Sequence, residues 1–495
     1  MQIREVKTGS ESIAVQVIYY KNRKRVIFKH VGSGKTTEQI IELRLIAEEI
    51  IKSHSNQLSI FEEEDPGKIF HTDHCECVGI EYNWLYKIIT SLQKQIGFNV
   101  FQSTLLNDLV TMRIVEPASK LRSMELIYQY FGIKHRRQSF YESALKWLEL
   151  KESIQQAVIA FAKEEYSFDF DILFYDVTTL YFETFKDDDL RKNGFSKDNK
   201  SQQPQIVVAL MVSKEGFPIA YEIFPGDTFE GNTFIPVIKD FVNKHQVKNL
   251  TVVADAAMIS DDNVKKLLYE RLYYIVGARL GNISGELLNQ LDKQLLREDG
   301  QTIRLKTDKG DLVCSYSQTR AKKDKYEMEK QIEKAEQLLK TPSKIKKIKF
   351  IKSEEQKLIV NKTLIEKTKM LLGVKGYYTN LPENIADDKA IIERYHELYK
   401  IEQTFRIAKS DLETRPIFHF KEEPIKLHML ICFMSLVISK HIELKTRDTI
   451  RKFITEAKKV TDVRITNSIT NKEILVKGKG TAKSNEYEKR LGLPH

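Results

Sequence analysis

Apolar and polar positions divide the chain into stretches with different periods. Residues 13–20 alternate between apolar and polar side chains, 21–24 form a polar turn, and 25–31 alternate again, which predicts a β-hairpin. A helix is expected after Thr36-Thr-Glu38. From 84 to 165 the apolar positions recur at helical spacing. The first third of the chain therefore predicts a small β-element followed by a helical region.

Short apolar runs that are typical of buried strands begin at residue 172. The first of these runs ends at Asp176 and the fourth ends at Asp255. In chain order the runs are 172–175, 206–212, 217–223, 250–254 and 273–276, with helices at 233–244 and after Ser260. The second and third runs flank a turn at 213–216 and predict a hairpin. Three antiparallel strands followed by alternating helices and strands is the ribonuclease-H-like order, so we predict an α/β fold with a mixed-sheet core of that type.

The pattern weakens after residue 281, and Lys and Glu dominate 321–370 without a heptad register. We interpret this stretch as a largely solvated insertion in the core. A strand at 376–381, a helix at 391–412 and an apolar helix at 425–439 then complete the core. The last of these is too short to cross a bilayer, so it predicts a buried helix and no membrane partner.

Composition narrows the class of protein. A chain of 495 residues exceeds one ordinary hydrophobic core, so several domains are expected. The formal net charge of +10 favours a polyanionic partner. Four cysteines provide no disulfide framework, and charges occupy the N-terminal positions where a signal peptide needs an apolar run. Both observations favour the reducing cytoplasm.

The candidate chemistry centres on one acidic residue in a basic helix, Glu402. At helical spacing it shares a face with aromatic and cationic side chains, namely Tyr395, Tyr399, Arg406 and Lys409. A carboxylate in that setting suits a group that holds a cation beside a bound polyanion. Together with Asp176 and Asp255 it provides three carboxylates from separate elements, which is what a two-metal phosphodiester site needs. The expected cofactor is a pair of Mg²⁺ or Mn²⁺ ions, because hard cations prefer oxygen ligands.

Each of these residues also has a simpler interpretation. An aspartate at the end of a strand can be a turn or capping residue, Lys409 can be a solvated lysine, and Tyr395 can be a packing residue. The joint occurrence of two strand-end aspartates and the Glu402 helix, in an order that fits one fold, favours the metal site.

At these positions the chain resembles bacterial insertion-sequence transposases of the DDE class, in the branch marked by a Tyr-Arg-Glu-Lys signature. Tyr395, Glu402 and Lys409 fall on signature positions, and Leu398 stands where the branch has Arg. The resemblance covers roughly residues 100 to 440. Further segments that resemble the family are Gly194-Phe-Ser-Lys197, Pro204-Gln-Ile206, Phe224-Pro-Gly-Asp-Thr228, Thr379-Asn-Leu381, Thr414-Arg-Pro-Ile417 and Arg113-Ile-Val-Glu-Pro-Ala-Ser-Lys-Leu121.

The resemblance implies a DNA transposase that binds terminal inverted repeats, cuts phosphodiester bonds by metal-assisted hydrolysis and transfers the 3′-OH ends to target DNA. It implies that Asp176, Asp255 and Glu402 are the catalytic residues and the metal ligands. The expected partners are double-stranded DNA and a second copy of the chain, in a bacterial cytoplasm at the nucleoid. The residues expected at the DNA are Tyr395, Lys400, Arg406, Lys409 and Arg415, with Lys400 or Arg406 in place of the missing Arg.

The transitions along the chain predict six regions of different character. They are an N-terminal hairpin and helix at 1–80, a helical DNA-binding domain at 81–165, the first part of the catalytic core at 166–280, the insertion at 281–375, the second part of the core at 376–445 and a basic tail at 446–495.

Two other functions remain open. An aspartate-based phosphohydrolase needs a second acid two residues after its nucleophile, and Thr178 occupies that position. A catalytically silent or domesticated DNA-binding protein derived from a transposase is the alternative, which the retention of all three acids disfavours.

Two segments resemble functional motifs and are expected to carry no function. Gly32-Ser-Gly-Lys-Thr36 is similar to the end of a phosphate loop, but Lys29 stands where the first glycine belongs. His71-Thr-Asp-His-Cys-Glu-Cys77 is similar to half of a zinc site, without a second pair of ligands at the spacing of a zinc finger.

Overall fold

A computed structural model of the chain describes residues 1–493 except 10, 55–74, 195–201, 259, 341–348, 355–356, 416, 418 and 468–472. The chain forms two compact units. The first unit comprises Met1–Ile88, Met124–His135 and Lys452–His495, and the second comprises Ile89–Ser123 and Arg136–Arg451. All of the site residues predicted from sequence therefore belong to the second unit.

The first unit contains a three-stranded antiparallel sheet, β1 (Gln2–Lys7), β2 (Ile13–Lys21) and β3 (Lys24–Gly34), followed by helix α1 (Thr37–His54). The β2–β3 hairpin and α1 confirm the expectation from sequence. Strand β1 was not predicted, because charged side chains interrupt its short apolar alternation. The helix packs on the sheet through a small buried core that contains Val15, Val17, Leu43 and Ala47.

A second small sheet of the first unit joins distant parts of the chain in the order β16-β15-β4. Its strands are β4 (Cys75–Glu81), β15 (Asp462–Asn467) and β16 (Glu473–Val476), and the same tail contains helices α15 (Ile450–Ala457) and α16 (Ala482–Arg490). Arg464 forms an ion pair with Glu81 across the sheet. The tail after residue 446 is therefore folded, which the sequence did not show because the strand that pairs with it is far away in the chain.

The helical stretch predicted between 84 and 165 is confirmed. It consists of α2 (Asn83–Ile96), α3 (Thr104–Val115), α4 (Lys120–Phe131), α5 (Arg137–Leu148) and α6 (Lys151–Tyr166). The apolar helix α14 (Glu422–Thr446) bonds to α3, since the hydroxyl of Ser435 donates to the carbonyl of Val110 at 3.1 Å. Of the helices in the described residues, α14 alone is long and apolar enough to span a membrane, and 94% of its apolar window is buried inside the protein. This burial confirms the buried helix predicted at 425–439.

The second unit is built on an eight-stranded mixed sheet in the order β10-β11-β14-β9-β8-β5-β6-β7. The strands are β5 (Ile172–Tyr181), β6 (Gln205–Val212), β7 (Pro218–Pro225), β8 (Thr251–Ala254), β9 (Tyr273–Gly277), β10 (Thr302–Thr307), β11 (Gly310–Tyr316) and β14 (Val374–Thr379). Strands β5, β6 and β7 pair antiparallel with one another, whereas β8 and β9 run parallel to β5. Helices α7 (Glu230–His245) and α8 (Asp261–Tyr269) connect the later strands. This is the ribonuclease-H-like arrangement, and the predicted fold class is confirmed.

The stretch 281–375 differs from the solvated insertion that we expected. Strands β10 and β11 form a hairpin that extends the central sheet through β14. The remaining elements are α9 (Gly285–Gln294), α10 (Gln318–Lys340), β12 (Ile351–Glu354), β13 (Lys357–Val360) and α11 (Lys362–Met370). Ala335 and Phe350 are fully buried in a small local core. Because α10 is mostly charged, this core was hidden in the sequence pattern.

Candidate active site

Asp176 and Asp255 lie side by side at one edge of the central sheet. Strands β5 and β8 pair in parallel register up to Tyr175 and Ala254, so the next residue of each is an aspartate. Asp176 is half-buried and Asp255 is exposed. Each carboxylate accepts a hydrogen bond from the backbone N–H of the following residue, at 2.8 Å and 2.7 Å respectively. The two acids thus lie where the parallel pairing of β5 with β8 ends, at the sheet edge where sites in α/β proteins form.

Strand β5 does not end at Asp176, as the sequence had suggested. It continues to Tyr181 because its antiparallel neighbour β6 accompanies it that far. The extension was missed since Thr178 and Thr179 interrupt the apolar run, although both are buried. Asp176 is therefore inside a strand, at the point where that strand loses its parallel neighbour.

Tyr395 contacts Asp255 and lies within electrostatic range of Glu402. Its hydroxyl donates a hydrogen bond to Oδ1 of Asp255 at 3.3 Å. Burial raises the pKa of Tyr395 well above its usual value, and the negative charges of Asp255 and, more weakly, Glu402 raise it further. The exposed carboxylate of Glu402 is therefore within electrostatic reach of the phenol that contacts Asp255.

The three carboxylates do not form a closed metal site in this conformation. Among the residues that the structure describes, no group of three or more His, Cys, Asp or Glu side chains is close enough to hold a metal ion. The donors themselves suit Mg²⁺, because carboxylate oxygens are the ligands that a hard cation prefers. Asp176 and Asp255 are suited to be two ligands of a metal ion at one sheet edge. Glu402 is close enough to Tyr395 for its charge to raise the pKa of that phenol.

The helix that carries Glu402 is not continuous, so the prediction of one helix over 391–412 was wrong. The structure has α12 (Asp388–His396), α13 (Tyr399–Arg406) and a π-helical turn (Ile407–Asp411). Between α12 and α13 the N–H of Leu398 donates to the carbonyl of Tyr395 at 3.0 Å, a bond that spans three residues. Because this tight winding and the wider π-turn depart from 3.6 residues per turn, the single regular face predicted for these side chains is not kept.

Helix α13 is docked on the turn between β6 and β7. The hydroxyl of Thr404 donates to the carbonyl of Gly216 at 2.8 Å. Gly216 has a φ of +80°, and a Cβ there would stand 3.0 Å from the Cβ of Lys400, so the close approach requires glycine. Lys400 donates from Nζ to the carbonyl of Lys214 at 2.6 Å and forms an ion pair with Glu397 at 2.8 Å. Its ammonium group thus has partners inside the protein, and its DNA contact stays a prediction.

Three further cations predicted to bind DNA follow Glu402 in the chain. Arg406 is exposed, whereas Lys409 and Arg415 are half-buried. Lys409 lines a small and mostly apolar cavity together with Phe405. The guanidinium of Arg415 lies over the ring of Tyr181, 5.7 Å from its centre. The structure therefore places these cations on the segment that follows Glu402, and their DNA contacts, like that of Tyr395, stay predictions.

Sequence analysis missed Lys375, which lies on β14. Its ammonium is 6.0 Å from the centre of the Tyr395 ring. Burial lowers the pKa of Lys375 and the charge of Arg320 lowers it further, whereas the charge of Asp255 opposes this shift. Lys375 therefore brings positive charge to the neighbourhood of Asp255. The available signal was a lone lysine within an apolar strand.

Several segments that carry the family resemblance meet at the ends of β6 and β7. A Cβ on Gly194 would stand 2.1 Å from the carbonyl oxygen of Gly226, and a Cβ on Gly226 would stand 2.0 Å from that of Gln205. The side-chain amide of Gln205 donates to the carbonyl of Gly226 at 3.0 Å. Three backbone segments thus pack closely enough to require both glycines. Residues 195–197 and 416 of the resembling segments lie outside the described residues.

The two segments that resemble a phosphate loop and half of a zinc site lie at the start of α1 and on β4. The side-chain oxygen of Gln39 accepts hydrogen bonds from the backbone N–H groups of Lys35 and Thr36, at 2.8 Å and 3.3 Å. The backbone amides at the end of the segment that resembles a phosphate loop are therefore bonded to a side chain in the first turn of α1. Cys75 and Cys77 lie on β4 and form no disulfide within the described residues, whereas 71–74 lies outside them.

Comparison with known proteins gives one sequence match and several similar structures. The family model described as Transposase DDE domain matches residues 167–438, which is more than half of the chain and includes all three predicted acids. No curated protein sequence matches the chain. A piggyBac transposase synaptic complex with hairpin DNA is similar at 12% identity, covering 83% of this chain and 74% of that chain with a TM-score of 0.35.

Two Mos1 transposase structures are similar at 11% identity. A paired-end complex with the left transposon end covers 47% of this chain and 66% of that chain with a TM-score of 0.16. A pre-cleavage transpososome covers 48% and 67% with a TM-score of 0.15. The family assignment rests on the sequence match alone. The chain belongs to the transposase DDE domain family.

Proposed function

We propose that the chain is the transposase of a bacterial insertion sequence, which binds terminal inverted repeats, cuts DNA at the element ends and joins the 3′-OH ends to target DNA. The observation that carries the proposal is the parallel register that sets Asp176 beside Asp255, within the stretch that matches the transposase domain. Tyr395, on the segment that leads to Glu402, contacts the second of these acids.

Asp176, Asp255 and Glu402 would hold two Mg²⁺ or Mn²⁺ ions through their carboxylate oxygens. Such ions, when bound, turn water or a 3′-hydroxyl into a better nucleophile and stabilise the attacking and leaving oxygens of a phosphodiester. The protein prepares this site by fixing the carboxylates of Asp176 and Asp255 with the amides that follow them. The Tyr395 hydroxyl orients Asp255 further, and its raised pKa keeps it a hydrogen-bond donor at neutral and alkaline pH.

Cations near the acids would hold the DNA backbone. The residues proposed for this role are Tyr395, Lys400, Arg406, Lys409 and Arg415, to which the position of Lys375 adds a further charge beside Asp255. In this proposal the helical region at 81–165 recognises the inverted repeat, and the core at 166–280 and 376–445 performs the cleavage. Two DNA ends must be brought together, so the active complex contains at least two copies of the chain, at the nucleoid of a bacterial cell.

Neutral isosteric substitutions test the three acids. We expect Asp176→Asn, Asp255→Asn and Glu402→Gln each to reduce Mg²⁺-dependent cleavage of a plasmid that carries the DNA flanking the gene by more than about 100-fold. The reason is that changing a residue which only hydrogen-bonds to a metal ligand typically lowers metal affinity or activity by about 10–100-fold, and loss of a ligand itself should cost more. Binding to the same DNA should be largely retained. Glu393→Gln, on the exposed surface of α12, is the matched control and should cut at the wild-type rate.

The same assay decides between the enzyme and the catalytically silent DNA-binding protein. A wild-type chain that binds the flanking DNA without cutting it in Mg²⁺ or Mn²⁺ would favour the silent protein. If any one of the three variants cuts at a rate near that of the wild type, that residue is not a metal ligand.

A further inference from the structure

The hairpin of β2 and β3 carries dense positive charge in the first unit. Between Ser12 and Thr37 the chain contains no acidic residue. Its cations near the turn are Lys21, Arg23, Lys24, Arg25 and Lys29, and all five are exposed. None of them forms an ion pair with any residue that the structure describes. Within the part of the chain that the structure describes, the end of the hairpin is therefore a concentrated positive surface without ion-pair partners.

The charged end is a two-stranded ribbon. The outer strand β1 pairs with β2 no further than Gln2 opposite Ile18, so Tyr19 to Val26 pair only with each other. Ile18 is also the last fully buried residue before the turn. A free antiparallel ribbon of two strands is one of the elements that the major groove of duplex DNA admits.

The turn itself carries a residue that its backbone does not favour. Asn22 and Arg23 both have left-handed backbone conformations, with φ of 54° and 60°. In such two-residue turns Asn is common at the first position and Gly at the second, because only Gly adopts this conformation without steric conflict. The arginine at the second position therefore adds a cation at the tip of the hairpin, where glycine would fit the backbone better.

Apolar side chains are exposed among these cations. Tyr20 is 62% exposed and Ile27 is 52% exposed, and they lie on the two strands of the same ribbon. Cations mixed with exposed aromatic and aliphatic groups suit a surface that contacts phosphates and also the sugars and base edges of a groove.

We propose that the hairpin end, residues Lys21–Arg25 with Lys29, is a duplex-DNA contact that is separate from the cleavage site of the second unit. Charge complementarity identifies the partner, since five exposed cations that form no ion pair with the described residues match a phosphate backbone. The inference rests on the proposed function only in taking duplex DNA as the substrate. It assigns DNA binding to a surface outside the helical region at 81–165.

The rival explanation is protection of a sheet edge. Strand β3 is an edge strand in the order β1-β2-β3, and lysines on an edge hinder pairing with another molecule. This explanation predicts that loss of the cations promotes self-association and leaves DNA binding unchanged. It also gives no reason for an arginine at the glycine position of the turn.

Arg23→Gly separates the charge from the fold. The full-length variant would be titrated against a fluorescein-labelled duplex of arbitrary sequence, at about 50 to 200 mM NaCl, with binding followed by fluorescence anisotropy. We expect the slope of log affinity against log salt to fall by about 0.9, and the affinity near 0.1 M salt to fall roughly five- to tenfold, as for one lost phosphate contact. The melting temperature should stay the same or rise, because glycine fits the turn. A purely structural role for Arg23 predicts a lower melting temperature with an unchanged slope.

A double variant and its matched control complete the test. Lys24→Ser with Arg25→Ser should lower the slope by nearly two units, whereas Lys323→Ser with Lys325→Ser removes the same charge from ion pairs on α10 and should have a smaller effect. Hairpin variants whose slopes superimpose on that of the wild type would overturn the inference. The inference would also be overturned if the double variant formed dimers while its slope of log affinity against log salt stayed that of the wild type. That result would establish that the cations protect the edge of the sheet. If the wild-type chain binds no duplex at all, the proposed function and this inference both fail. If the wild-type chain binds duplex and the hairpin variants keep its slope, only this inference fails.

Discussion

Two lysines near Glu402 differ in what surrounds their ammonium groups. Lys400 is held by the carbonyl of Lys214 and the carboxylate of Glu397. Lys409 is half-buried, and it lines an apolar cavity beneath the segment that follows Glu402. Long cationic side chains bury their stems along apolar surface and keep their charge at the surface, so a lysine in this position is suited to reach a phosphate.

Lys409→Ala therefore should weaken binding to DNA and lower the slope of log affinity against log salt by about one unit. The loss should be nearly the same for any base sequence, because phosphate contacts carry no direct base readout. Salt-titrated binding of the full-length protein measures this. Lys323→Ala, which changes an exposed lysine of α10 outside the proposed DNA-binding residues, is the comparison, and we expect a smaller change in slope. Superimposable slopes for Lys409→Ala and the wild type would make Lys409 an ordinary surface lysine.

At the scale of single residues, the aspartates were predictable and the residues around them were not. Asp176 and Asp255 follow apolar runs that are visible in the sequence, and parallel strands bring such positions to one edge. Lys375 has no such signal, because its place beside Asp255 depends on the pairing of β14 with β9 and on the ring of Tyr395. Contacts between residues far apart in the chain decide the roles of such side chains.

At the scale of elements, the segment from α12 to the π-helical turn shows what periodicity leaves out. The apolar spacing predicts one helix, and it does not detect a change of one residue in the span of the backbone hydrogen bonds. The change occurs where α13 meets Gly216 and its turn, through the hydroxyl of Thr404. Glu402 is on this short helix, so the docking of α13 determines where the third acid lies.

Removal of that hydroxyl should loosen the helix. Thr404→Val leaves the carbonyl of Gly216 without its buried donor, which should lower the free energy of unfolding by about 1–3 kcal/mol. Urea denaturation measures the stability, and plasmid cleavage should fall as well because Glu402 is less well positioned. Thr368→Val is the control, since that hydroxyl bonds only within its own helix, to Leu364 at 2.7 Å. A Thr404→Val variant as stable as the wild type would exclude this docking contact.

At the scale of the whole molecule, the central sheet was predictable, whereas the additions to it were not. Strands β5 to β9 have clear apolar runs and a known order. The strands of the β10–β11 hairpin mix polar with apolar side chains, and its place in the sheet depends on β14, more than fifty residues later. The folded C-terminal tail likewise depends on β4 near the other end of the chain. Pairing between distant segments leaves little trace in local periodicity.

One consequence of the fold concerns the second unit as a whole. Lys120 lies 3.1 Å from Nδ1 of His428, and both are buried. Burial lowers the pKa of Lys120 to about 7, and the charge of Arg113 adds to this. Burial also lowers the pKa of His419 to about 4 and that of His428 well below its usual value. The unfolded chain keeps Lys120 protonated up to its ordinary pKa of 10.5, so it binds more protons than the folded chain above pH 7.

Stability should therefore rise with pH above about 7, as the penalty for burying a charged Lys120 disappears. Between pH 7 and pH 9 this single group can contribute up to about 2–3 kcal/mol, at 1.36 kcal/mol per pH unit. Lys120→Met should be more stable than the wild type near pH 7, and its stability should depend less on pH over that range. Thermal unfolding at a series of pH values measures both, and parallel curves for the two proteins would contradict the assignment.

The central claim is that Asp176, Asp255 and Glu402 bind metal ions together. Fe²⁺ in place of Mg²⁺, with ascorbate and peroxide, generates hydroxyl radicals that cut the polypeptide next to the bound ion. We predict cuts near all three residues in the DNA-bound protein, suppressed by excess Mg²⁺ and absent from Asp255→Asn, because two strand ends and α13 then surround the same ions. Cuts near Asp176 and Asp255 without any near Glu402, or cuts that Mg²⁺ does not suppress, would contradict it.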